Sequence, residues 1–218
     1  MTRILAIADE VSEALYGGSL SDLKPELVVS CGDLPFEYLE YIVTMLSVPL
    51  LYVPGNHDPD LRAHQEPVSP LWPVLSGLRE SPGPAGCTNV DGRIIDVAGL
   101  RIAGLGGSAR YSGGPNQYTE SQMRRRTARL RRRAALRRLR DRRGIDVLVS
   151  HAPPLGIGDD DDPAHRGFAS FLGLIERLHP KLLLHGHIHP YGRTLPDRTL
   201  DGTRIANAIP YRLLEVEP

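Results

Sequence analysis

Seven polar residues of this sequence share one kind of position. Asp9, Asp33, Asn56, His57, His151, His187 and His189 each close or directly follow a short apolar run: ILAIAD (4–9), LVVSCGD (27–33), PLLYVPGNHD (49–58), IDVLVSH (145–151) and KLLLHGHIH (181–189). Carboxylates, an amide and imidazoles drawn from five segments make a donor set for divalent cations. Without thiolates, such a set suits Mn, Fe, Zn, Co or Ni better than a structural Cys-bound zinc. A carboxylate shared by two ions about 3.5–4 Å apart allows a bridging water to be acidified to hydroxide, and the pair neutralises both the attacking and leaving oxygens of an in-line displacement at phosphorus. The chemistry implied is hydrolysis of a phosphate ester by a metal-bound hydroxide.

For these side chains to meet, the elements carrying them must end at one place. The five apolar runs read as buried strands, and helical patterns separate them: FEYLEYIVTML (36–46), an Arg-rich segment, and FASFLGLIERL (168–178), where Phe168, Phe171, Leu172, Ile175 and Leu178 form a stripe. Strands alternating with helices predict a layered α/β domain, in which ligands bind beyond the carboxyl ends of the strands. Two further strand pairs are expected, RIIDVAG with LRIAGLG across Gly99 and TRIANA (203–208) with YRLLEV (211–216), which make the sheets mixed. Residues 59–92, rich in Pro and Gly, read as a long loop with a short helix and a candidate lid. No internal repeat or boundary divides the chain, so residues 1–218 are expected to form one domain.

Four blocks then carry a resemblance: GDL (32–34), GNHD (55–58), SHAPP (150–154) and GHIH (186–189), in that order. They resemble the signature blocks of the calcineurin-like metallophosphoesterase family. The resemblance implies a four-layer αββα sandwich, two mixed β-sheets flanked by helices. It also implies Asp33 as a bridging carboxylate, Asp9 and His189 on one ion, and Asn56, His151 and His187 on the other. His57 would face the scissile phosphate and protonate the leaving oxygen or stabilise the developing charge, with Asp58 orienting it. One block departs from the family. Its first motif is Asp, any residue, His, and here Asp9, Glu10, Val11 stand in its place. Glu10 is not expected to substitute, because neighbours on an extended strand point to opposite faces unless a turn intervenes. The first site is therefore expected to be the weaker, with one tight ion and one labile. His165 and Arg166, in the acidic loop GDDDDPAHRGF (158–168), are candidate phosphate contacts, against the plain alternative of a solvated loop.

Composition excludes other classes. With 41 % hydrophobic and 24 % charged residues the chain reads as an ordinary globular protein, and no apolar run is long enough for a membrane span. The N-terminus meets an acidic pair before a signal-peptide core could develop. Cys31 and Cys87 form no framework, so a reducing cytoplasm is expected, and Cys31 reads as a packing residue. His185 lies deeper in its strand than His187 and is left out of the ligands, and GLGGS (104–108) lacks the Lys of a phosphate-cradling loop and reads as a turn.

The formal net charge of zero hides a separation, because residues 124–143 hold twelve Arg and one Asp. A helix is expected there, with Thr119 and Gln122 as capping box and Gly144 after its end. Met123, Leu130, Ala134, Ala135, Leu136 and Leu139 would be its apolar face. Its cationic face is read as solvated, as docked on acidic residues of this chain or of a second subunit, with 159–162 a candidate partner, or as a nucleic-acid contact through Arg124 to Arg143. The function expected is thus metal-dependent hydrolysis of a phosphodiester or phosphomonoester, on a small phosphate ester or nucleotide, with manganese as the probe metal. The alternatives are a nuclease that uses the Arg-rich helix and a non-catalytic metal- or phosphate-binding regulator.

Overall fold

The computed structural model describes residues 1–16, 19–61, 83–193 and 195–217. In chain order the strands are β1 (Thr2–Ile7), β2 (Leu27–Ser30), β3 (Leu50–Tyr52), β4 (Cys87–Asn89), β5 (Ile94–Val97), β6 (Leu100–Leu105), β7 (Ser108–Ala109), β8 (Gln117–Tyr118), β9 (Val147–Ser150), β10 (Leu182–His185), β11 (Arg198–Leu200), β12 (Thr203–Asn207) and β13 (Tyr211–Val216). The helices are α1 (Ser19–Asp22), α2 (Phe36–Leu46), α3 (Glu120–Asp141) and α4 (Ala169–Leu178). Most of the expected long loop, residues 62–82, lies outside the described residues.

Two mixed sheets result. One has the order β13-β1-β2-β3-β4 and the other β11-β12-β10-β9-β6-β5; β7 and β8 form a separate pair. In each large sheet the central strands are parallel and an antiparallel strand closes at least one edge. Alternation along the strands explains why both faces are apolar. Ile4, Ala6, Leu27, Val29 and Leu51 of the first sheet meet Ile102, Val147, Val149, Leu182 and Leu184 of the second in one core. The intervening residues face outward: Leu5, Ile7 and Val28 pack under Tyr38, Leu39 and Ile42 of α2, while Ala103, Leu148 and Leu183 pack under α3 and α4. The layers are helix, sheet, sheet, helix, and strands covered on both sides must read as near-continuous apolar runs.

The β5–β6 hairpin turns at Ala98 and Gly99, both at positive φ, as a two-residue hairpin with right-handed twist requires. TRIANA and YRLLEV do not pair with each other. β12 lies beside β10 in one sheet and β13 beside β1 in the other, so residues 208–210 carry the chain between layers. Their alternation is the same in either arrangement, and only the choice of partner differs.

The capping box of α3 forms: Gln122 N donates to Thr119 Oγ1 (3.3 Å) and Thr119 N to Gln122 Oε1 (2.8 Å). The helix ends at Arg142, in left-handed conformation, two residues before the expected Gly144. Only part of its expected apolar face is buried. Met123, Leu130 and Ala134 are, whereas Leu136 and Leu139 are 68 % and 83 % exposed and Ala135 is also exposed. Ala134, Ala135 and Leu136 are consecutive, and at 3.6 residues per turn they spread over about 200° of the helix, more arc than the sheet covers.

Candidate metal centre

Parallel strands joined by helical crossovers end at one edge, and there the chain turns sharply. Asp9, Asp33 and His187 adopt φ of +58°, +56° and +68°. Around Asp9, Glu10 N donates to Ala8 O (2.6 Å), and around His187, Ile188 N donates to Gly186 O (2.8 Å), three-residue turns that swing each side chain over the sheet edge. Non-glycine residues held in this region cost stability and cluster where function demands the geometry. Two glycines make room. A Cβ on Gly55 would overlap the Asp33 carboxylate, and one on Gly186 would overlap that of Asp9.

The turns bring Asp9, Asp33, His151 and His187 together, with one donor atom from each inside a 4.8 Å cluster that could hold a divalent ion. Each histidine is fixed by its other nitrogen. His151 Nδ1 donates to Cys31 O (2.8 Å), leaving Nε2 toward Asn56 Oδ1 (2.9 Å) and Asp33 Oδ2 (3.3 Å). His187 Nε2 donates to Ala164 O (2.7 Å), which leaves Nδ1 as the unprotonated nitrogen of a neutral ring. A backbone carbonyl behind a ring nitrogen sets tautomer and orientation as metal-binding histidines require. His189 stands at the rim, with Nε2 3.8 Å from Asp9 Oδ1.

Glu10 departs from the expectation. Asp9 is in a turn rather than on an extended strand, so the two side chains do not point apart, and Glu10 Oε1 accepts a hydrogen bond from His189 Nδ1 (2.8 Å). Asp58 differs too. Its Oδ2 accepts from the backbone N–H of Gly55 (2.8 Å) and of Asp33 (3.0 Å), so the carboxylate pins two turns together, not the His57 ring. His57 is exposed, with its N–H on Asp33 Oδ1 (2.8 Å), beside a cleft of about 440 Å³ lined by Asp33, Phe36, Glu37 and Pro59.

Electrostatics follow from crowding two carboxylates and imidazoles away from water. Burial pushes Asp9 up to about 6. Burial also opposes charge on His151, yet Asp33 and then Asp9 outweigh it and hold the imidazole up at about 9. Asp33 is correspondingly drawn down by His151 despite its burial. His187 is pushed down to about 3 by burial and by His151, and burial takes His185 down to about 4. His185 is buried in its strand, with Nδ1 on Gly186 O (2.9 Å).

The acidic loop supplies one edge of the site. His165 packs against His187 (ring centroids 5.3 Å apart) and its Nδ1 donates to Asp162 (2.8 Å), while Arg166 is exposed. Two supports escape the sequence reading. Asn116, at φ +50°, donates to Gly55 O (3.0 Å) and Asp58 O (3.1 Å), and Tyr111 OH accepts from Asn56 Nδ2 (3.2 Å). The Gly-Gly-Pro-Asn turn signals a loop, but nothing local shows that it reaches residues some sixty positions away.

The family model described as calcineurin-like phosphoesterase matches residues 4–191. The chain belongs to the calcineurin-like phosphoesterase family. Family members act on phosphate esters with divalent metals, and the donor cluster of this chain is of the kind they use. Among solved structures, one crystal structure superposes with a TM-score of 0.61 at 15 % identity, covering 95 % of this chain and 90 % of the other. The crystal structure of TT1561 of Thermus thermophilus gives 0.56 at 18 % identity, covering 95 % and 88 %. At these identities the likeness is one of fold. No curated protein matches the chain. Among the described residues no helix is long and apolar enough to cross a membrane.

Proposed function

We propose that this calcineurin-like phosphoesterase hydrolyses a phosphodiester, with a phosphomonoester as the second choice, using one or two divalent ions, manganese the first to try. The observation that carries the reading is the 4.8 Å cluster of Asp9, Asp33, His151 and His187 donors, with each histidine anchored from behind by a carbonyl. When bound there, divalent cations supply Lewis-acid polarisation of phosphoryl oxygens and lower the pKa of water. The protein's share is positioning. Asp33 would serve both ions, Asn56, His151 and His187 would hold one, and Asp9 and His189 would hold the other, the weaker because Val11 stands where a histidine would. His57, at the mouth of the cleft, protonates the leaving oxygen as the ester bond breaks. Asp58 acts through the backbone it holds, and His165 and Arg166 contact non-bridging phosphate oxygens. A diester is favoured because, among the described residues, the site offers no cation cluster beyond the metals, His57, His165 and Arg166 to hold a dianion. The free Cys31 and Cys87 fit a reducing compartment such as the cytoplasm.

The test measures Mn-stimulated hydrolysis of bis-p-nitrophenyl phosphate together with metal content by elemental analysis. His57→Ala should lower kcat about 10²–10⁴-fold with metal retained, and Asp33→Asn and His187→Ala should lose metal and activity together. Full metal content with no turnover under any of the metals would overturn hydrolysis and leave a non-catalytic binding protein.

A further inference from the structure

The twelve arginines of residues 124–143 are sorted by the fold into distinct groups. One flank of α3 faces the β5–β6 hairpin and is committed there. Arg126 pairs with Asp91, donates to Gly106 O (2.8 Å) and lies over the Tyr118 ring (4.1 Å); Arg133 donates to Gly92 O; Arg137 pairs with Asp96 (3.2 Å). The expected docking on this chain's own acids therefore occurs, but on Asp91 and Asp96, while Asp159 and Asp162 are engaged within their own loop.

The opposite flank is different. Arg124, Arg131 and Arg138 recur every seven residues, a row about 21 Å long at 1.5 Å rise per residue. They form one wall of a groove, with α4 and its Arg177 as the other, and Thr127, Ala128 and Gly173 among the residues between. The groove encloses about 380 Å³ and continues into a smaller hollow of about 110 Å³. All four arginines are exposed, and none is in an ion pair among the described residues; of those residues Glu176 is the acid that lines the groove, and the Glu120 carboxylate lies at its Ala169 end. Ser170 Oγ, which also lines it, is a buried side-chain oxygen without a hydrogen-bond partner among the described residues.

One end of the groove, at Ala169 and Arg124, lies toward the sheet edge that carries the ligands. α3 and α4 both lead into strands that run parallel to β6, so both helices begin at the edge where the ligands sit, and the Glu120 carboxylate of α3 accepts from Ala169 N (3.1 Å) and Ser170 N (2.8 Å) of α4. A few residues before Ala169, His165 packs on His187.

We propose that this groove binds single-stranded nucleic acid by its phosphodiester backbone and leads it toward the metal centre. The assignment of single strands as substrate rests on the hydrolysis proposed above; the binding does not. The row consists of arginine, whose planar fork matches phosphate oxygens two at a time. Its floor is made largely of small residues between two helices, Thr127, Ala128, Ala169, Ser170 and Gly173, and it is assigned one strand rather than a duplex. No aromatic side chain lines it, so contact is with the backbone and independent of base sequence. A lipid surface fits less well, because Leu136 and Leu139, the exposed apolar residues of α3, lie on its outer face away from this row.

Binding is read by fluorescence anisotropy with a labelled phosphorothioate oligothymidylate of about 20 nucleotides, which resists hydrolysis and so separates binding from turnover. Four neutralised phosphates give a slope of log affinity against log salt of about −3, or roughly 50-fold weaker binding at 200 than at 50 mM salt. Replacing Arg124, Arg131, Arg138 and Arg177 by Gln should weaken binding at least tenfold more than replacing Arg125, Arg132 and Arg140 on the outer face, with thermal melts reporting that both variants fold. The proposal is overturned by absence of wild-type binding at low salt, by equal loss in both variants, or by competition from duplex DNA, polyglutamate or anionic vesicles as strong as from the unlabelled strand. The salt slope of the wild type tests it even if a variant does not fold.

Discussion

Glu10 and Val11 occupy a motif whose usual third residue is a histidine, and the consequence lies in how His189 is held. With Glu10 on Nδ1, the ring presents Nε2 to Asp9, the carboxylate–histidine arrangement that orients a metal ligand and raises its basicity. Glu10→Ala should weaken binding of the looser ion, the one assigned to Asp9 and His189, about 10–100-fold with little change in the tighter one, read by manganese titration calorimetry, and Glu10→Gln should restore part of it; equal weakening of both ions would reject this role. The protonation of the cluster gives a second expectation. A cation needs Asp9 ionised and His151 Nε2 free of its proton. Between about 6 and about 9, the values to which Asp9 and His151 are shifted, the carboxylate has already lost its proton and the imidazole has not. Manganese binding near pH 7.5 should therefore release about one proton, measured by calorimetry in buffers of different ionisation enthalpy, and affinity should rise with pH across that window. Release of none would mean that His151 and Asp33 are not a charged pair.

Strand ends and their turns form the next scale. The strands are readable from their apolar runs, and the polar residue at each end marks where chemistry can sit. The turns are readable only in part. Gly32 and Gly186 announce tight backbone, but Asp9, Asp33 and His187 adopt positive φ without glycine, and although Asp and His enter that region more readily than most residues, their identity does not say which of them will. This is why strand geometry alone misplaces Glu10. Gly186→Ala tests the turn as a unit: the added methyl overlaps the Asp9 carboxylate and also approaches Ala8 Cβ (2.8 Å). Loss of manganese binding with a cooperative thermal melt retained is the expected result. Binding unchanged would show that Asp9 moves aside without cost. On α3 the local signals suffice at the N-terminus, where the box needs only neighbours, and fail on the apolar face, where burial depends on what the helix meets.

At the scale of the molecule, charge couples α3 to the second sheet. Arg101, on β6 and 4 % exposed, bonds Asp96 of β5 (2.7 Å) and Asp141 of α3 (2.6 Å), with Arg143 O a further acceptor (2.9 Å). Asp146, which accepts from Arg101 N (2.8 Å), also pairs with Arg143 (2.9 Å) and Lys181 (3.4 Å). Arg101→Ala should cost about 2 kcal/mol in urea unfolding at neutral pH, less than the loss of a fully buried pair, because the two carboxylates are nearly half exposed and regain water. The sign of its pH dependence is fixed. Arg101 holds Asp96 and Asp141 below the usual carboxylate range, so their contribution is complete above about 4 and is lost as pH falls through the lowered values. The gap between wild type and variant should narrow below about pH 4; a gap that widens would exclude this ion network as its source.

The sequence by itself determined the donor types, their order along the chain and their placement after buried strands, because a strand covered on both faces must be apolar and a metal site must be polar, and the boundary between the two is written in residue types. It also set the charge separation and the start of α3. The tertiary structure alone decided which sheet β12 and β13 join, which arginines are spent on Asp91 and Asp96 and which line a groove, and that Glu10 meets His189. Each of those is a contact between segments far apart in sequence, and its geometry depends on the backbone turns and crossovers between them, which residue identity constrains only weakly.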